Sequence, residues 1–208
     1  MENILDLYAL PYNPKEPVIC ADEKSKQLLG SKRPTQIAKE HRLKRVDYEY
    51  KRNGTRNIFL AVEPKGGFRR TEVRLHRKAT DFAYFIKELT GLKRYQDVRK
   101  IHLVIDNLNT HFAKSFYTTF PKEEAERILS RIQFHYTPKH ASWLDMAEIE
   151  IGIMDRQCIG GRIADEDTLK SNINVWEKTR NKQHAKINWK FTTRDARQKF
   201  KYQPAELS

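Results

Sequence analysis

The stretch that most constrains this chain is IHLVIDNLNTH, Ile101 to His111. Three of its first five residues are β-branched, and Leu103 fills the middle. An apolar run of this kind, closed by a turn signal, predicts a buried strand. The run stops at Asp106-Asn107 and a polar Asn-Thr-His follows. A carboxylate at the tip of a buried strand is costly unless something pairs with it, and a bound cation is one common partner. Two other acidic places are placed to join it. One is Asp22, which ends the short apolar run Val18-Ile19-Cys20-Ala21. The other is the pair Glu148 and Glu150, in an apolar helical segment that starts near Trp143.

The flanking segments set the fold class. Met1 to Leu10 reads as the tail of a helix, closed by Pro11 and Pro14. PVICADEKS reads as the first strand, and Gly30 to Arg45 as an irregular or short helical crossing. Val46 to Tyr50 alternates as an edge strand would. Asn53-Gly54 signals a turn, TRNIFLAVE a second core strand, and Lys65-Gly66-Gly67 another turn. FRRTEVRLH alternates as a half-exposed antiparallel strand. Helical spacing follows at Phe82, Phe85, Ile86 and Leu89, with Thr80 as N-cap and Gly91 as stop. After the organising strand come a helix over 123–132, a short strand over 133–136, and a helix from about Trp143 to Cys158. Asp165 to Lys178 carries Leu169, Ile173 and Trp176 on one stripe, and a basic helix spans about Thr193 to Lys201. Hairpins, then helix, strand, helix, strand and helices, predict an α/β sheet with the first strand central beside Ile101–Ile105. In such sheets chemistry sits at the carboxyl ends of strands, where Asp22 and Asp106 are expected.

Charge narrows the partner. Forty Lys and Arg against 27 Asp and Glu leave a net charge of +13, which favours a polyanion and above all nucleic acid. No segment approaches a membrane span or a secretory signal. Cys20 and Cys158 stand far apart in apolar runs, so they give neither a disulfide framework nor zinc spacing. They read as reduced core residues of a cytosolic protein.

Two Asp and one Glu from separate elements make an oxygen cage suited to a hard divalent cation. Two such ions can activate an oxygen nucleophile and stabilise a leaving oxygen in phosphodiester chemistry. A serine or cysteine hydrolase is poorly supported, since no nucleophile elbow or activated cysteine is present. His111, His135 and His140 flank the candidate site without zinc spacing. His111 and His140 suit hydrogen bonding near phosphate or orienting a carboxylate, whereas His135 reads at least as well as a surface histidine.

Taken together, ADEKS, VIDNLNTH and YTPKHASWLDMAEIE resemble the catalytic domain of bacterial insertion-sequence transposases of the mariner-related superfamily. These are DDE enzymes with an RNase H-like fold. The resemblance runs from about Leu5 into FTTRDAR, and its specific part is Pro138 to Glu148 with Ser142-Trp143-Leu144. It implies a mixed five-stranded sheet, an antiparallel meander plus parallel strands, flanked by helices. It divides the chain into a lead-in (1–16), a catalytic core (17–160) and basic C-terminal helices (161–208). By motif, Asp22 is the first acid, bridging two Mg²⁺ or Mn²⁺ ions. Asp106 and Glu148 are the second and third, each holding one. Asn107 and His111 shape the second motif, with His140 and Asp145 in support. The implied activity is metal-dependent cleavage and strand transfer at transposon DNA ends. The implied setting is a bacterial cytoplasm, on the nucleoid when DNA is bound, and a homodimer in a transposition complex is compatible with it. Arg42, Lys44, Arg45, Arg69, Arg70 and Arg74, together with Lys182 and Lys186 in the basic tail, are the candidates for phosphate contacts.

The chain departs from the family pattern in three ways. The position before Met146 is usually Asn and here is Asp145, which adds a negative charge one helical turn from Glu148. The interval between Asp106 and Glu148, residues 107 to 147, is longer than usual, with the extra length expected around Thr118 to Glu124. The helix-turn-helix modules that related transposases carry ahead of this domain are expected to be absent. A truncated, non-catalytic DNA-binding or dimerising remnant, or another RNase H-like nuclease, would carry the same residues.

Overall fold

The computed structural model describes residues 1–33, 49–107 and 113–201. Among these residues, five strands build one mixed sheet: β1 (Val18–Ser31), β2 (Tyr50–Glu63), β3 (Phe68–Arg74), β4 (Ile101–Ile105) and β5 (Ile132–Tyr136). Their spatial order is β3-β2-β1-β4-β5. The first three form an antiparallel meander, while β1–β4 and β4–β5 are parallel. This is the mixed five-stranded, helix-flanked α/β sheet expected from the sequence. The crossing predicted over Gly30 to Arg45 lies largely outside the described residues, as does most of Val46 to Tyr50.

Strand alternation sorts the core onto two faces. Cys20, Leu60, Val62 and Val104 point to one face, covered by α1 (Glu2–Ala9), α5 (Met146–Met154) and α6 (Glu166–Lys182), with Ala196 of α7 (Thr193–Phe200) also packed there. Ile19, Phe59, Ala61, Leu103 and Ile105 point to the other. There they meet α2 (Ala79–Thr90), α3 (Lys114–Thr119) and α4 (Lys122–Leu129) through Phe82, Phe85, Ile86, Phe116 and Ile128. The stretch around Thr118 to Glu124 therefore joins α3 to α4 on the second face. α3 itself is a helix that the sequence pattern did not predict: six residues are too few to show a period.

Three expectations change. Asn53-Gly54 is not a turn but lies within β2, where the β1–β2 register shifts between Gln27 and Leu29. Gly54 has φ 96°, so its lack of a Cβ serves a β-bulge. β3 is not half exposed, because its faces meet different neighbours: Thr71 bonds Glu177 of α6, and Arg74 pairs with Glu88 of α2. The strand bearing Asp22 does not end there. It continues nine residues further to Ser31, because β2 goes on pairing with it after β4 has stopped.

Caps set the helix ends. Asp165 accepts from the Thr168 amide at 2.8 Å at the start of α6, and Thr192 and Asp195 form a reciprocal capping box at α7. α2 begins one residue before the expected cap, with Lys78 as N-cap, and Gly91 ends it. α5 starts after a single 3₁₀ turn, Ser142–Leu144, and runs into a π turn over Asp155–Ile159. Gly160 closes that turn, where a Cβ would stand 2.7 Å from the Asp155 carbonyl oxygen.

Candidate active site

The parallel β1–β4 ladder pairs Val18 with His102, Ile19 with Leu103 and Cys20 with Val104. Two residues further along each strand come Asp22 and Asp106. The two acids therefore share a register position and, by alternation, one face. They sit where the strands part, since β4 ends at Ile105 and β1 goes on with β2 alone. α5 packs on this same face, with Glu148 in its first turn.

Asp22 is partly buried, and its Oδ1 accepts from the Glu23 amide at 2.7 Å. Burial pushes its carboxyl up to about 7. The Glu23 amide opposes the rise, and the charges of Glu23, Asp106 and Glu148 add to it. Asp22 thus feels both other acids of the predicted triad. Asp106 is partly buried and Glu148 is exposed.

A fourth acid completes the group. Asp145 is 1% exposed and caps α5, its Oδ1 accepting from the Ala147 amide at 2.8 Å. Its Oδ2 is buried with no hydrogen-bond partner. Burial holds this carboxyl well above the ordinary range, with Asp22, Glu148 and Asp106 pushing the same way. By sequence Asp145 is an added charge one helical turn from Glu148. The structure places it inside, beneath Tyr8, whose hydroxyl donates to the Leu144 carbonyl at 2.7 Å.

The donor set is all oxygen, as a hard cation requires, and the burial of Asp22 and Asp145 penalises their anions in a way a cation would relieve. The acids converge as charges rather than as a closed cage: among the described residues, no three His, Cys, Asp or Glu side chains are close enough to hold an ion as they stand.

Glu150 is a different kind of acid. It is fully buried, and its two oxygens accept from Arg69 at 2.7 and 3.0 Å and from Arg180 at 3.0 and 3.2 Å. Burial works against its carboxylate, but the two guanidinium groups win and hold the pKa below the ordinary value. Two residues on a helix stand about 200° apart, so Glu148 and Glu150 face opposite ways. Arg69, offered by the sequence as a phosphate contact, is fully buried in this pairing and cannot reach DNA. Arg74 pairs with Glu72 at 2.7 Å and Glu88 at 3.2 Å, and Arg70 lies 4.0 Å from Glu88. Lys182 and Lys186 are exposed. Arg42, Lys44, Arg45 and His111 lie outside the described residues.

Asn107 is exposed, and His140 is exposed with a left-handed φ of 64° in the loop after β5. His135 is not a surface residue: it is buried, with Nδ1 2.9 Å from Asn3 Oδ1 and Nε2 3.0 Å from His102 Nδ1. His135 donates to Asn3, which leaves its Nε2 to accept from His102. Burial, with His102 adding, pulls its pKa down to about 4. The signal for this pair was available in the alternation of two adjacent strands, but only once β4 and β5 were known to be neighbours.

A family model described as DDE superfamily endonuclease matches residues 17–170. Among solved structures, the chain is similar to the pre-cleavage Mos1 transpososome, with a TM-score of 0.55 and 12% identity over 88% of this chain and 59% of that one. It is also similar to the Mos1 strand transfer complex, with a TM-score of 0.51 and 13% identity over 88% and 53%. The Mos1 mariner paired end complex with Mn gives a TM-score of 0.50 and 13% identity over 88% and 56%. The chain thus spans between half and three fifths of the length of these three chains. At such identities the likeness establishes the fold. No curated protein matches the chain.

Proposed function

This chain belongs to the DDE superfamily of endonucleases, and on that premise we propose that it cuts DNA at the ends of a mobile element and joins the freed ends to a target. Asp22, Asp106 and Glu148 are the catalytic acids in this reading, holding Mg²⁺ or Mn²⁺, two ions per site. One observation supports the assignment: continued two residues past the Cys20–Val104 pair, the β1–β4 register brings Asp22 and Asp106 to one sheet face, on which α5 packs with Glu148 in its first turn. Mos1, whose structures include a strand transfer complex and a paired end complex with Mn, supplies the analogy for both partner and metal.

Bound metal would supply an activated water and a stabilised leaving oxygen in phosphodiester cleavage. The chain's own residues do the rest. β1 and β4 fix two carboxylates on a rigid sheet. The Asp145 cap fixes the first turn of α5 and with it the position of Glu148. Exposed cations, Lys182 and Lys186 among them, hold phosphates without reading bases.

A second reading, a DNA-binding remnant without activity, draws on the open arrangement of the acids among the described residues. One experiment separates the two. The protein is incubated with DNA carrying its own element's ends in Mn²⁺, beside Asp106→Asn and Glu148→Gln. Cleavage by wild type and its loss in both variants is the expected result. DNA binding without cleavage favours the remnant, and full activity in Asp106→Asn overturns the assignment.

A further inference from the structure

We propose that Trp143 and Phe200 form a stacking platform for an unpaired nucleotide of the DNA strand held at the acidic site, a proposal that rests on the DNA-processing reading above. Trp143 lies two residues before the Asp145 cap and five before Glu148. Trp143 is 38% exposed, and Phe200, on the last turn of α7, is 47% exposed. The centroids are 6.2 Å apart with 37° between the planes.

This pair is backed by fixed rings. Trp189 lies nearly parallel to Trp143, at 6.2 Å and 14°. Phe191 meets Trp143 edge-on at 5.5 Å. Trp189 is itself pinned, donating from Nε1 to the Phe191 carbonyl at 2.7 Å and leaning on Tyr8 at 5.3 Å. Here the inner rings are partly buried and the outer two keep much of their surface open.

The surroundings are cationic. Lys199 stands 5.9 Å from the Phe191 ring and 6.0 Å from that of Phe200. Lys139, Lys190, Arg194 and Lys201 are exposed on the same two segments. Of the acids against α7, Asp195 is used in the capping box, Glu2 in its pair with Arg197, and Asp6 in accepting from the Thr193 hydroxyl at 2.6 Å. Aromatic faces interleaved with lysines match a nucleic-acid strand, whose bases stack and whose phosphates carry the countercharge. A purely apolar partner would leave the lysines without anions. Within a duplex both faces of an interior base are already stacked, so an unpaired nucleotide is the one that can turn a base face to the platform away from a duplex end.

The test uses fluorescence anisotropy in EDTA, so that nothing is cut. Four labelled DNAs share one duplex: blunt, with a short 3′ thymidine tail, with a 5′ thymidine tail, and with abasic tails. Wild type should bind at least one thymidine-tailed duplex about tenfold or more tighter than the blunt and abasic forms. Trp143→Ala and Phe200→Ala should lose that advantage while keeping the blunt-duplex affinity, and Trp143→Phe should retain most of it. Equal wild-type affinity for all four DNAs overturns this inference and leaves the proposed function standing. So does a thymidine advantage that survives both alanine variants. Failure to bind any of the DNAs overturns both. Should Trp143→Ala lose blunt-duplex binding through misfolding, the thymidine-against-abasic comparison in wild type and in Phe200→Ala still decides.

Discussion

Asp22→Asn should stabilise the metal-free protein at pH 8 and leave it unchanged near pH 4. The Asp22 carboxyl has its pKa raised from the ordinary 3.8 to about 7, chiefly by burial. Between those values the folded protein keeps a proton that the unfolded chain has released. Stability from this group is therefore full at or below pH 4, falls as pH rises, and levels off above 7. Taken whole, the shift corresponds to about 4 kcal/mol at pH 8. Asp22 is partly exposed, so solvent screening reduces this to roughly 1–3 kcal/mol. Asn keeps the shape and an oxygen to accept from the Glu23 amide, but carries no charge. The gap between variant and wild type should then grow from near zero at pH 4 to roughly 1–3 kcal/mol at pH 8, or several degrees in Tm for a chain of this size. Urea denaturation followed by tryptophan fluorescence, in EDTA across this pH range, measures it. Millimolar Mg²⁺ should stabilise wild type by binding the folded state, about 2.7 kcal/mol at a hundred times Kd, and should close or reverse the gap. A variant less stable than wild type at pH 8 in EDTA, or a gap that does not change with pH, would refute the account of Asp22 as a buried acid among other acids.

Three further outcomes follow from the same geometry. Asp145→Asn keeps the α5 cap and should match or exceed wild-type stability at pH 8 in EDTA, whereas Asp145→Ala should fall about 1 kcal/mol below Asp145→Asn in chemical denaturation. Glu150→Gln leaves Arg69 and Arg180 without their countercharge and should lose about 3–5 kcal/mol, so a wild-type melt for that variant would contradict the buried pairing. Duplex binding should weaken tenfold or more between roughly 50 and 200 mM salt, and equal affinity at both would exclude phosphate contacts as its source.

Much of the fold was legible because period and register speak directly in the sequence. The apolar run before Asp106, the stripe of Leu169, Ile173 and Trp176, and the turns around Lys65-Gly66-Gly67 all read as they fold. What failed was information that exists only between elements. Asn53-Gly54 has turn chemistry, and nothing local says that β1 stays alongside to make it a bulge. Arg69 looks like one more surface cation until Glu150 and Arg180, far away in sequence, are seen beside it. Glu148 and Glu150 are told apart in the sequence only by motif, and the structure adds that Glu148 is exposed while Glu150 is buried. His135 was misjudged because the identity of a strand's neighbour decides whether its polar residue has a partner. The tail reads only as a basic helix, since Trp143 is distant in sequence from Trp189, Phe191 and Phe200.

The way Asp22 and Asp106 are held also says where this chain can change length over evolutionary time. The long interval between Asp106 and Glu148 passes through α3 and α4, on the sheet face away from the acids, and returns along β5, the outermost strand. Residues gained there lengthen a detour and move neither carboxylate. A single residue gained between Cys20 and Asp22 would act oppositely: strand alternation would turn the carboxylate through the sheet, into the layer occupied by Phe59 and Phe85. Insertions and deletions among relatives should therefore gather in the α3–α4 detour and be missing from the few residues that lead up to each aspartate.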